Sequence, residues 1–126
     1  MSIQKLIMIS LITLLFGCGG RGNTTSGNAV AVAPGQAAGE NIYKSTCSIC
    51  HKTGLNGAPR LGSAKDWEPR IAQGNQVLYS HAINGFRGSK GSMPSRGSNA
   101  RLSESEVKAA VDYMVAHAIP SWELDK

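Results

Sequence analysis

The sequence predicts a small all-α domain folded around something besides its own side chains. Three observations carry that expectation. Near the C-terminal end, apolar residues recur at helical spacing behind a capping signal. No β-rich run flanks the most informative motif. Aromatic residues are only 6% of the 126, and many of the 41% that are hydrophobic fall in the first sixteen positions, which leaves few large apolar side chains for an ordinary core. The length suits one domain. With 13 Lys and Arg against 8 Asp and Glu, the chain is basic at net +5 without being a polyelectrolyte. Its three cysteines are an odd number, which excludes a simple disulfide framework.

The first element is an address. Lys5 supplies a positive start, and Leu6 to Phe16 is an apolar run broken only by Ser10 and Thr13. A spanning helix needs about 20 apolar residues, so this shorter run reads as a secretory signal. It ends in Leu15-Phe16-Gly17-Cys18, which resembles the lipobox of bacterial lipoproteins. Residues 1–17 are therefore expected to be removed and Cys18 to be lipidated. Several acyl chains on one residue anchor stably, each buried methylene contributing about 0.8 kcal/mol. Gly19, rather than Asp, follows the cysteine and slightly favours the outer membrane of a Gram-negative host. Residues 18–36 are rich in Gly, Ser, Thr, Asn, Ala and Val with Arg21 as their single charge, and read as a flexible linker. The folded domain is expected over 37–126.

A helix is expected through Gly39 to Lys44, leading into Cys47-Ser48-Ile49-Cys50-His51, with Ile42, Cys47 and Ile49 on one buried side. C-x-x-C-H is the attachment signature of c-type haem. On a helix, residues i and i+3 share a face, so both thiols can add to the vinyl groups on one porphyrin edge while His51 turns its imidazole to the iron. A thioredoxin-like pair would need a βαβ setting, and a structural zinc site needs further ligands that His81 and His117, standing alone, do not supply. Export also suits covalent haem.

The second axial ligand must be a soft or imidazole side chain further along. After the signal only Met93 and Met114 remain as methionines. Met93 lies in a loop from Gly88 to Gly97, rich in glycine, and Pro94 restrains its backbone. Met114 lies at helical spacing from Val107, Ala110 and Val111 and reads as core. Met93 is thus the expected ligand, with His81, on a helix over Asn75 to Asn84, in reserve. The last helix begins at Ser103 with a Ser103/Glu106 capping box and a Leu102–Val107 staple, and Pro120 stops it. His117 in its last turn complements the helix dipole.

Taken in order, Cys47 to His51, Gly57-Ala58-Pro59, Trp67-Glu68-Pro69-Arg70-Ile71, His81 to Phe86, Met93-Pro94 and Ser103 to Met114 resemble class I cytochromes c, in particular the bacterial cytochrome c5 subgroup. The resemblance covers residues 37–118. It implies the class I fold, with helices wrapped around one covalent haem c and the last helix crossing the first through Gly39, Tyr43 and Tyr113. It also implies that the Pro59 carbonyl accepts a hydrogen bond from His51 and that Trp67 and Arg70 lie near a haem propionate. Members of the subgroup often carry a disulfide before the last helix; residues 97–102 here contain no cysteine.

A haem with both axial positions filled exchanges single electrons and offers no substrate site, so the expected role is a membrane-tethered electron carrier rather than an enzyme. A haem subunit of a larger membrane redox complex is one alternative. A haem-based ligand binder or peroxidase-like protein, should Met93 leave the iron, is another. Residues 52–101 hold eight Lys or Arg against two acids, whereas 102–126 hold two against five. Arg60, Lys65, Arg87, Lys90, Arg96 and Arg101 would face redox partners with acidic docking surfaces, such as a terminal oxidase or reductase in the respiratory chain of the bacterial periplasm. Nucleic acid is not an expected partner.

Overall fold

A computed structural model describes residues 34–121. The expected export segment, the expected lipidation site Cys18 and the stretch read as linker up to residue 33 lie outside the described residues.

Helix α1 spans Pro34–Ile42 and so begins three residues inside the stretch read as linker. Proline suits that position because its fixed φ is helical and its missing N–H would be unpaired there anyway. The helix does not continue evenly. Tyr43–Cys47 forms a π-helical turn, and α2, Ser48–His51, continues from it without a break. The wider turn holds more residues and rotates α2 relative to an ideal helix. Ile42, Cys47 and Ile49 all line the same cleft, into which Ile49 turns its 65% exposed side chain.

Helix α3 is Ala64–Ile71 and α4 is Asn75–Asn84. A hairpin of two-residue strands comes next, β1 Phe86–Arg87 and β2 Ser92–Met93, paired antiparallel with Phe86 opposite Met93. Helix α5 is Glu104–Ala116. Its capping box is complete: the Ser103 N–H donates to Glu106 at 2.7 Å, and the Glu106 N–H donates to the Ser103 hydroxyl at 3.3 Å. His117 closes the other end, its ring Nδ1 donating to the Tyr113 carbonyl at 2.7 Å.

Helices α1 and α5 cross where a glycine permits it. A Cβ on Gly39 would lie 2.2 Å from the Ala109 carbonyl oxygen, so only a bare backbone allows this approach. Beside it the Tyr43 and Tyr113 rings pack 5.4 Å apart.

The core is divided. One cluster joins Tyr43, Trp67, Met114 and Ala118, with Cys47 packed against it. The other joins Leu78, Ala82, Val107 and Val111, with Met93 and Leu102 against it. Helix α5 contributes to both, and both clusters face one cleft. Among the described residues, no helix is long and apolar enough to cross a membrane.

Candidate functional site

The cleft measures about 820 Å³ and is mainly apolar. Its first wall comes from the π turn and α2, which present Cys47, Cys50 and His51. Both thiols are free and half-buried. Burial, with Cys50 adding a smaller push, raises the Cys47 thiol to about 11. His51 is only 7% exposed. Its Nδ1 donates to the Pro59 carbonyl at 2.9 Å, which leaves the Nε2 lone pair free. Burial lowers its pKa, the Pro59 bond opposes that shift and the Arg70 charge reinforces it. The result is a neutral, oriented imidazole.

The second wall comes from α4, the hairpin and α5. Met93 in β2 is half-buried and rests on the Leu78–Val111 cluster. Met114 also lines the cleft, but it is buried in the other cluster with Trp67, whose ring lies 6.1 Å from that of His51. The two methionines thus belong to different clusters, Met114 to the one that holds Trp67 beside the imidazole and Met93 to the other. His81 reaches the cleft as well, stacked on Phe86 with ring centres 4.0 Å apart.

Trp67 and Arg70 both line the cleft, yet their donors are engaged. The Trp67 indole N–H donates to the Arg60 carbonyl at 2.8 Å, and Arg70 donates to the Asp66 carbonyl. The indole is a buried ring whose N–H has a backbone partner. The guanidinium keeps further donors and its charge.

Sequence reasoning passed over two features. Leu55 and Phe86 turn apolar surface into the cleft while remaining 49% and 45% exposed. The rim is also closed by backbone: a Cβ on Gly91 would lie 2.0 Å from the Asn56 carbonyl, and one on Gly57 2.2 Å from that of Lys90. The glycines themselves were visible, but the contact between loops distant in sequence was not.

This arrangement fits a flat apolar cofactor carrying a metal. The cleft lies within the range of about 300–1,000 Å³ usual for such sites. The donors lining it include two thiols three residues apart, the oriented imidazole of His51 and the Met93 thioether, with His81 and Met114 also at its surface. Helices around such a cleft define a class of protein, the small c-type cytochromes.

Known proteins resemble the chain throughout this region. A family model described as "Cytochrome C oxidase, cbb3-type, subunit III" matches residues 34–114. Cytochrome c-555 of Chlorobaculum tepidum is 48% identical over 74% of this chain and 84% of its own length. Cytochrome c5 of Azotobacter vinelandii is 33% identical over 64% and 95%. Among solved structures, a chain from an electron transfer complex of nitrite reductase with cytochrome c is 38% identical with a TM-score of 0.58, covering 69% of this chain and 98% of that one. The chain belongs to this family and is a class I c-type cytochrome. It carries one covalently bound haem c and transfers electrons; it is not a catalyst in its own right. The c5 resemblance holds, and c-555 is the more similar of these two relatives.

Proposed function

We propose that the protein is a membrane-tethered carrier of single electrons. In this reading Cys47 and Cys50 would hold the haem, His51 Nε2 and Met93 Sδ would bind its iron, and Cys18 would carry the lipid. When bound, the haem iron takes up and releases one electron between its ferric and ferrous states. The chain's residues orient the imidazole through Pro59, exclude water with the two apolar clusters and keep the thioether on the Leu78–Val111 cluster. The single observation that carries the reading is that these four side chains, from segments distant in sequence, line one apolar cleft.

Partner choice follows from charge. Lys65, Arg70, Lys90 and Arg96 line or rim the cleft, which favours a redox enzyme with an acidic docking face in the bacterial periplasm. The structural neighbour taken from a complex with nitrite reductase supports a reductase of that kind. Stopped-flow transfer from the ferrous protein to a nitrite reductase is expected to slow as salt rises; salt-independent transfer would contradict a docking role for the basic face. Mass spectrometry of the N-terminal peptide tests the tether. An acylated Cys18 is expected, and cleavage elsewhere or an unmodified cysteine contradicts it.

A second reading, a haem subunit of a larger membrane complex, is favoured by the oxidase-subunit description of the matching family. Copurification with a respiratory complex from detergent-solubilised membranes would favour it over the free carrier.

A further inference from the structure

We propose that Tyr79 and Asp112 form a latch across the α4–α5 seam that holds the seat of Met93, which makes them positioning residues for electron transfer. The proposal rests on the reading in which Met93 ligates the iron.

Met93 depends on α4 in two ways. Its side chain packs on the cluster that Leu78 and Ala82 of α4 form with Val107 and Val111 of α5. Its backbone pairs with Phe86, two residues beyond the end of α4. Any sliding or rotation of α4 on α5 therefore moves the thioether. The apolar footing of α4 is thin: Leu78 and Ala82 are its buried residues, and Val77 faces solvent. Apolar packing is also non-directional, so a small footing fixes the axis of a helix poorly.

The Tyr79 hydroxyl, on α4, donates to the Asp112 carboxylate on α5. Among the described residues, no other side-chain hydrogen bond joins positions more than eight apart in sequence. Lys108, one turn before Asp112, places its ammonium 5.9 Å from the centre of the Tyr79 ring, within cation–π range. One aromatic ring on α4 is thus held by two opposite charges on a single face of α5. The Asp112 bond holds the Tyr79 phenol above its ordinary pKa, so it remains a donor through the neutral range. Tyr79 itself packs against the same cluster that seats Met93, so the latch and the seat share one seam.

Because the bond is near the surface, it shifts the population of a state with Met93 displaced more than it shifts global stability. Exogenous imidazole reports that state, since it reaches ferric iron only when the thioether has left. The haem-loaded protein and its Tyr79→Phe variant are compared by imidazole titration, by the Met-to-iron charge-transfer band and by thermal melting. Tyr79→Phe is expected to raise the apparent imidazole affinity by about three- to tenfold, in proportion to the displaced fraction, with the band retained at rest. Asp112→Ala should match it, and the double variant should add little, as for two groups acting through one bond. Gly39→Ala, which disturbs the α1–α5 crossing instead of the Met93 seat, should lower the melting temperature without that rise. An unmoved imidazole affinity in Tyr79→Phe, or an equal rise in Gly39→Ala, overturns the latch. A parent protein lacking the charge-transfer band overturns the ligation reading itself, and the latch with it.

Discussion

On one wall of the cleft, five consecutive residues carry both thiols and the imidazole, and the ring is fixed by a carbonyl only eight residues away. On the other, the Met93 thioether is held by a two-residue strand, a contact between glycine loops and two separate helices. The first wall is local chemistry and the second is assembled tertiary structure. Damage to the first should therefore prevent the cofactor from being held at all, whereas damage to the second should leave it bound with altered properties.

The largest expected effect separates the walls directly. His51→Ala should sharply reduce recovery of haem-loaded protein, read as the haem-to-protein ratio, because it removes both the ligand and its Pro59 orientation. Met93→Ala should keep covalent haem, lose the Met-to-iron charge-transfer band and lower the reduction potential. An unchanged band in that variant would move the assignment to His81 or Met114.

Intermediate effects are expected at the glycines. Gly39→Ala and Gly91→Ala each force a Cβ to within 2.2 and 2.0 Å of a carbonyl oxygen, and overpacking of this kind costs about 1–3 kcal/mol. Both should lower the melting temperature. Only Gly91→Ala, at the rim near Met93, should also weaken the charge-transfer band; equal weakening by Gly39→Ala would erase the distinction between the walls.

The smallest effects are expected at the cap and in acid. Ser103→Ala should cost about 1 kcal/mol, read by denaturant melting. The Glu106 carboxyl is held below its ordinary value by the Ser103 side-chain and backbone bonds, and the Asp66 carboxyl by the Arg60 N–H. Carboxyls depressed in the folded state stabilise it above their unfolded values, about pH 4, and that contribution is lost as pH falls through the folded values. Melting temperature should accordingly drop below about pH 4, with Ser103→Ala flattening the Glu106 share.

The contrast between the walls also explains what could be read in the sequence. Cys47, Cys50 and His51 were legible because their spacing is itself the chemistry. The limits of α4 were read correctly, and the cap of α5 was legible because a capping box is a local signal. The π turn at Tyr43–Cys47 was not, since it is a change of pitch with no signature in residue type. Likewise, nothing local announces that the Trp67 N–H finds the Arg60 carbonyl, or that strands of two residues will pair around Met93. The shortage of large apolar side chains did foretell a domain folded around something besides its own side chains, and both apolar clusters line the cleft.

The central claim is that His51 and Met93 together close the iron to outside ligands, and one optical experiment tests it. The spectrum of the ferric protein is recorded, the protein is reduced, and carbon monoxide is added. A Met-to-iron charge-transfer band with no subsequent carbon monoxide adduct is the expected result. An absent band, or ready formation of the adduct, would contradict the carrier and support a haem-based ligand binder instead.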